Sequence, residues 1–164
     1  MAYSLSSFSA DVPFSEAVRQ AVEKRITEND LREDLSGIDM AQKVVILARN
    51  LGMDVQIDDV EVESLIPKGL LSKSYPDGWD AMTAVQLDDI KCVDDDMLER
   101  LKAAEADEKR LRYKFVIDKS TGKCKCSLEA VSKTDPLYRL KLNENLVAFE
   151  TRRYETSPLI VKGT

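Results

Sequence analysis

The 164-residue sequence predicts a single α+β domain, with helices in its first part and antiparallel strands in its last third. Apolar residues recur at helical spacing over residues 13–26 and again after residue 36. From residue 111 onward, β-rich segments alternate with turn signals. We therefore expect a mixed, largely antiparallel sheet that is covered by helices.

The first two helices are predicted from their apolar faces. PFSEAVRQAVEKRI (13–26) has one such face, and TENDLREDL (27–35) is interpreted as a polar break. Ser36 and Asp39 have the spacing of a capping box and are expected to begin the second helix, which Gly52 would end. Its inward residues are predicted to be Ala41, Val44, Val45, Ala48 and Leu51.

The middle of the chain alternates between strand and loop signals. Residues 54–66 show the alternation of a strand, and residues 67–79 form a Pro- and Gly-punctuated loop. Trp79, at the end of that loop, is interpreted as part of a packed connector, with a lid as the alternative. Residues 94–110 open with three Asp and close with Lys and Arg, the charge order that a helix dipole favours.

The last third is predicted to be strands. LRYKFVID (111–118) and KCKCSLEAV (123–131) flank KSTGK, which is a hairpin signal. NLVAFETRRY (145–154) and PLIVK (158–162) are the final predicted strands.

Composition excludes several functions. The net charge of −6 argues against nucleic-acid binding, which requires a basic face. The chain has no His, so Ser-His and Cys-His nucleophile pairs and imidazole metal sites are excluded. Its six glycines are too widely spaced for a glycine-rich dinucleotide or phosphate loop.

Membrane insertion and disulfide formation are also not expected. The apolar runs are too short to cross a bilayer, and residues 1–14 contain no basic residue, so no targeting segment is visible. We expect a cytoplasmic protein, with a plastid location as the alternative. Cys124 and Cys126 lie two apart on one strand face, which is poor disulfide geometry, and no metal site is expected.

Acidic residues cluster before one lysine at the predicted start of the second helix. Asp39 and Lys43 are four apart and share a helix face, as ordinary surface pairs do. Glu28, Glu33 and Asp34 precede them. Carboxylates held there could bind an ammonium group, and a partly desolvated lysine could act as an acid or base. Local physics leaves both interpretations open.

The segment TENDLREDLSGIDMAQK (27–43) resembles the homoserine dehydrogenase signature T-E-P-D-P-R-D-D-L-S-G-x-D-V-A-R-K. Further blocks are similar to that family in the same order: PFSEAV, KVVILAR, VEVESLIP, LRYKFVID, DPLYRLK, ENLVAFETRRY and PLIVKG. The resemblance covers nearly the whole chain and is strongest to the dehydrogenase half of bifunctional aspartokinase–homoserine dehydrogenases. It implies the catalytic and dimerisation domain of that family over residues 1–164.

The resemblance implies a specific reaction and specific residues. The family reduces aspartate 4-semialdehyde to homoserine with NADH or NADPH, on the route to threonine, methionine and isoleucine. Its proton donor falls on Lys43, and its substrate-binding acids fall on Glu28 and Asp39. Asp34 would be a supporting or substrate contact. The physics is consistent, because hydride addition builds negative charge on oxygen that an ammonium group can neutralise.

Departures from the family pattern concern the cofactor. Arg25 stands where the family has Gly, and Asn29 and Leu31 replace prolines. Cofactor contacts are implied at Arg25 and Gly163, but the sequence lacks the Rossmann domain that holds NAD or NADP. We therefore expect dehydrogenase turnover only with a nucleotide-binding domain.

Two alternatives to an incomplete enzyme remain open. The chain could be a non-catalytic amino-acid-binding module, or a purely structural dimerisation domain of the same family. The resemblance implies a homodimer, because 123–131 and 145–154 correspond to the dimer-forming sheet.

Overall fold

The structure, a computed structural model, describes residues 1–28, 30–72, 84–141, 144–154 and 156–163, with the backbone alone for 84–86. The helices are α1 (Ala2–Ser7), α2 (Phe14–Glu23), α3 (Leu31–Leu35), α4 (Ile38–Asn50), α5 (Lys68–Leu71), α6 (Ala84–Ile90) and α7 (Asp94–Ala106). The strands are β1 (Val60–Val62), β2 (Arg110–Asp118), β3 (Lys123–Val131), β4 (Asn145–Phe149) and β5 (Leu159–Gly163). Short 3₁₀ helices cover Ile57–Asp59, Lys91–Val93 and Pro136–Arg139. The predictions for Asn29 and Trp79 lie outside the described residues.

The described strands form two sheets. The first has the order β1-β3-β2, in which β1 runs parallel to β3 and β2 antiparallel to it. The second is the antiparallel pair of β4 and β5. Antiparallel pairing predominates, and helices pack on the three-stranded sheet. The predicted α+β class, with its mixed, largely antiparallel sheet, is confirmed.

The segment interpreted as a polar break contains α3, so that interpretation is wrong. Asp30 begins the helix, because its side chain accepts the Arg32 N–H at 2.9 Å. Leu31 and Leu35 are four apart and are 1% and 2% exposed. One cap and one buried pair are enough to form a short helix between polar neighbours.

The predicted capping box at the start of α4 is also wrong. Ser36 ends α3, and its hydroxyl accepts only the Ile38 N–H, at 3.3 Å. Gly37, in the left-handed conformation at φ 81°, is the residue that precedes α4. Asp39 points to Lys43 instead of back to the cap.

The far end of α4 was predicted correctly except for Leu51. Gly52 stands after the helix at φ 78°, and its N–H donates to the Arg49 carbonyl. Ala41, Val44, Val45 and Ala48 are buried as predicted, whereas Leu51 is 40% exposed. Leu51 lies beyond the last helical residue, so it no longer follows the apolar face.

Other boundaries differ for local reasons. The strand predicted over 54–66 is limited to β1, because Gln56 and Asp59 cap each other around a 3₁₀ turn. The predicted 67–79 loop contains α5 in its described part. The helix predicted over 94–110 ends at Ala106, so Lys109 and Arg110, the basic residues that close the segment, fall beyond the helix.

The predicted hairpin and the two predicted final strands are confirmed, and the final strands pair with each other. β2 and β3 pair over their full nine residues, from Arg110 opposite Val131 to Asp118 opposite Lys123. β4 is shorter than predicted, because the chain turns at Thr151, whose carbonyl accepts the Tyr154 N–H. No described helix is both long and apolar enough to cross a membrane.

The core has two parts that meet at Tyr113. One lies among α1, α2, α3 and α7 and includes Phe14 and Met97, which are 0% and 1% exposed. The other lies between α4 and the sheet and includes Cys124 and Cys126. Tyr113 packs against both parts. Because burial raises the pKa of the Tyr113 phenol, this group remains a neutral hydrogen-bond donor.

Tyr113 also fixes where α4 begins. Its hydroxyl donates to the Glu63 carbonyl at 2.7 Å. A Cβ built on Gly37 would collide with this hydroxyl and would lie 2.8 Å from Val62 Cγ1. Glycine is therefore required at position 37 both for its backbone conformation and for the space that Tyr113 occupies.

The C-terminus of α2 stores strain at Arg25. Arg25 adopts φ 55°, and its N–H donates to the Val22 carbonyl while the Ile26 N–H donates to the Ala21 carbonyl. These two bonds form a Schellman motif, in which the left-handed position favours glycine. The exposed Arg25 side chain replaces the glycine that this geometry prefers.

We predict that Arg25→Gly stabilises the fold by about 1 kcal/mol, because it removes the left-handed strain of a residue with a Cβ. The measurement is the free energy of unfolding in urea. Arg25→Ala is the control, since it removes the same side chain but keeps the Cβ. Equal stability of the two variants would contradict the explanation.

Candidate active site

Asp39 and Lys43 lie on the first turns of α4 and form an ion pair. Lys43 Nζ donates to Asp39 Oδ2 at 2.6 Å, and the two side chains are 60% and 26% exposed. Asp39 is the second residue of the helix, where the dipole favours a negative charge. A pair this exposed contributes roughly 0.3–0.5 kcal/mol to stability, so the fold depends little on this ion pair.

Asp34 and Glu28 are joined across the turn before α4. Asp34 Oδ2 accepts the Glu28 backbone N–H at 3.0 Å, and its other oxygen lies 3.6 Å from the Met1 amino nitrogen. The Asp34 side chain is only 13% exposed, while Glu28 is exposed. Asp34 thus fixes the backbone at Glu28. The Glu28 carboxylate takes no part in this hydrogen bond.

Gly37 connects the two pairs. Its N–H donates to the Asp34 carbonyl at 3.3 Å, and its own carbonyl accepts the Ala41 N–H at 2.9 Å. Asp34 and Asp39 therefore stand on either side of one left-handed residue. Among the hydrogen bonds and ion pairs of the described residues, none joins the Glu28 carboxylate to Lys43 or Asp39.

The Lys43 side chain is more exposed than the sequence analysis expected of a partly desolvated acid. At 60% exposure, it lies at the surface of this chain, with Asp39 as its partner. Ile38 and Ile46, on the same helix, are 41% and 61% exposed. The exposed surface of α4 therefore carries both an ion pair and two apolar side chains.

Arg25 and Gly163, the predicted cofactor contacts, lie on separate elements. Arg25 is exposed after α2, and Gly163 is the last residue of β5. The left-handed backbone at Arg25 gives a structural reason for the glycine that the family has there. No contact in the described structure joins either residue to Lys43.

The residues that hold the candidate site in place were not predicted from the sequence. Tyr113 and Glu63 act together, because the Glu63 carboxylate also binds Arg100 at 2.7 Å and the Leu128 N–H at 3.0 Å. Neither residue belongs to the signature segment, and both come from distant parts of the chain. The glycine in SGID was the one available signal, since a glycine before a helix can mark a close approach.

Gly37 is not arranged as a phosphate-binding glycine. Gly37 precedes a helix, as phosphate-binding glycines do, but the Tyr113 hydroxyl occupies the space beside it. Within the described part of the chain, no cluster of three or more His, Cys, Asp or Glu is arranged to hold a metal ion.

Comparison with known proteins identifies the family. The homoserine dehydrogenase family model matches residues 1–164. A bifunctional aspartokinase/homoserine dehydrogenase of Haemophilus influenzae is 42% identical over 149 residues, which are 91% of this chain and 17% of that protein. A homoserine dehydrogenase of Emericella nidulans is 39% identical over 160 residues, which are 96% of this chain and 42% of that protein.

The fold agrees with this match. A crystal structure of Staphylococcus aureus homoserine dehydrogenase superimposes with a TM-score of 0.65 at 18% identity, and the match covers 98% of this chain and 34% of that one. At such low identity the likeness shows the fold alone. The chain spans less than half the length of these relatives. Since the family model matches the whole chain, this chain belongs to the homoserine dehydrogenase family.

Proposed function

We propose that this chain forms the substrate-binding part of a homoserine dehydrogenase, which interconverts aspartate 4-semialdehyde and homoserine with NADH or NADPH. The observation that carries the proposal is the Asp39–Lys43 pair at 2.6 Å at the start of α4, preceded in the chain by Asp34 and Glu28, which are joined by a hydrogen bond. These four residues match the family signature in order. The reaction would serve the synthesis of threonine, methionine and isoleucine.

Lys43 acts as the proton donor in this proposal. Reduction of the aldehyde carbon leaves negative charge on its oxygen, and a positioned ammonium group both stabilises that charge and supplies the proton. The hydride comes from the nicotinamide cofactor when it is bound. Asp39 holds the Lys43 ammonium in one orientation, because it accepts a hydrogen bond from Nζ.

Glu28 and Asp34 have complementary roles. The exposed Glu28 carboxylate is available for the ammonium group of the amino-acid substrate, whose charge it complements. Asp34 fixes the Glu28 backbone through its 3.0 Å hydrogen bond, so it is a positioning residue. In this proposal Glu28 and Lys43 hold the two ends of a four-carbon amino acid, and Asp34 and Asp39 position them.

The high exposure of Lys43 indicates that a further domain covers the site during the reaction. A 60% exposed ammonium is well hydrated, and its interaction with a developing alkoxide is stronger once water is excluded. The exposed Ile38 and Ile46 give a nucleotide-binding domain an apolar surface to cover. We therefore place the cofactor, NAD or NADP, on such a domain beyond this chain.

The test joins the chain to a nucleotide-binding domain of the family and follows cofactor oxidation with aspartate semialdehyde. We predict that Lys43→Met lowers kcat by a factor of roughly 10² to 10⁴, which is what general acid catalysis contributes. Lys91→Met is the matched control, because Lys91 is 59% exposed and also pairs with an aspartate on a neighbouring turn.

Two results of that assay would contradict the proposal. Full activity in Lys43→Met would remove Lys43 from the chemistry, and turnover by the chain alone would show that it needs no further domain. Homoserine binding measured by calorimetry, with no turnover in the joined protein, would instead favour the second candidate, a non-catalytic amino-acid-binding module. The high exposure of Lys43 is the observation in favour of that candidate.

We also propose a homodimer in which the β4–β5 sheet takes part. Leu159, Ile160 and Val161 of β5 are 46%, 45% and 54% exposed, so side chains on both faces of this strand meet solvent. Apolar strand residues of this kind are stabilised when a partner covers them.

Sedimentation equilibrium should give twice the chain mass, and replacement of Val161 by Lys should shift the equilibrium to monomer. A monomeric parent protein would contradict this assignment.

A further inference from the structure

A groove of about 690 Å³ lies between α1, the C-terminal half of α7 and the start of β2. Its volume is in the range of sites for small molecules. None of the four signature residues Glu28, Asp34, Asp39 and Lys43 lines it. The groove is therefore separate from the proposed active site.

Arg112 gives the groove a buried positive charge. The residue is 8% exposed, and its hydrogen bonds in the described structure all go to backbone carbonyls: those of Leu111, Leu137, Tyr138 and Leu140, at 2.9–3.5 Å. Carbonyls satisfy the N–H groups but do not neutralise the charge. Burial, and then the charge of Arg110, lower the pKa of Arg112, as expected for a cation without a counter-ion.

Two more cations line the groove near Arg112. Arg110 precedes it by two residues, on the same side of the strand, and its guanidinium stacks 4.6 Å from the centre of the Tyr138 ring. Lys141 also lines the groove and is exposed. In the described part of the chain, neither residue has a carboxylate within ion-pair distance.

The acids of the groove do not balance these charges. Of the two lining carboxylates, Glu144 is already paired with Lys162 at 2.8 Å. A further lining cation, Lys109, is paired with Asp107 at 2.9 Å. Glu105 is the one lining carboxylate without such a pair among the described residues. A local excess of positive charge in a chain of net charge −6 is a specific feature of this groove.

The remaining wall is apolar. Leu5 and Phe8 from the α1 region and Leu101 from α7 are 5–8% exposed and line the same groove. Such a wall suits a hydrocarbon group. Guanidinium groups bind carboxylates and phosphates through two parallel hydrogen bonds and are favoured for such recognition.

We propose that this groove binds a small molecule with an oxyanion, either a carboxylate or a phosphate, attached to an apolar body. The oxyanion interacts with Arg110 and Lys141 and compensates the charge of Arg112. The apolar body lies against Leu5, Phe8 and Leu101. This assignment is independent of the function proposed for Lys43.

The test is calorimetric titration of the full chain at constant ionic strength with 4-phenylbutyrate, with its uncharged amide and with inorganic phosphate. We expect 4-phenylbutyrate to bind at least about tenfold more tightly than the amide, because only the acid compensates the positive charge. Binding of phosphate would show that the oxyanion suffices, and binding of 4-phenylbutyrate alone would show that the apolar wall is also needed. Binding of neither anion would overturn the proposal.

Matched variants locate the interaction. Arg110→Gln should weaken binding about tenfold, whereas Arg139→Gln, which removes an exposed arginine outside the groove lining, should leave it unchanged. Circular dichroism melts check that both variants fold. Equal effects of the two substitutions, or ligand-induced amide shifts centred on α4 instead of on residues 5–8 and 110–112, would overturn the assignment.

Discussion

The close approach of Tyr113 to Gly37 is the constraint on which the proposed site depends. Tyr113 reaches from β2 across the sheet, donates to the Glu63 carbonyl and fills the space beside Gly37. The start of α4 is thereby fixed against the sheet, two residues before Asp39. A side chain at position 37 would displace Tyr113, and with it the helix turn that carries Asp39 and Lys43.

Tyr113 and Glu63 stabilise the fold next to the proposed site. Tyr113 joins the two parts of the core, and Glu63 ties β1 to β3 and α7 through Leu128 and Arg100. The Asp39–Lys43 pair itself is exposed and contributes little to the fold. Tyr113 and Glu63 hold the start of α4 in place, and the exposed Asp39–Lys43 pair lies on that turn. Such an arrangement favours precise positioning of a substrate.

The sequence was informative where one pattern dominated a segment. The helical period of α2, the three aspartates that begin α7 and the turn between β2 and β3 each predicted an element, and the glycine after α4 was identified from its position alone. α1 and α6 were not predicted, because six or seven residues carry too little periodic signal. α3 was not predicted, because Leu31 and Leu35 are its two apolar residues and the three residues between them are charged.

The site was predictable only in part. The resemblance to the family signature proposes its residues, and the structure adds their local geometry: the Asp39–Lys43 pair and the bond from Glu28 to Asp34. The role of Tyr113 depends on a contact between residues 76 positions apart, which no local pattern encodes. The exposure of Lys43 likewise depends on the folded surface and not on the motif.

The central claim is that the Lys43 ammonium contacts the oxygen of the aldehyde whose carbon is reduced. A crystal structure of the chain joined to its nucleotide-binding domain, with oxidised cofactor and homoserine bound, tests it most directly. The account predicts Lys43 Nζ within roughly 2.6–3.2 Å of the homoserine hydroxyl, with the homoserine ammonium on Glu28. Homoserine bound elsewhere, with Lys43 still paired only to Asp39, would contradict it.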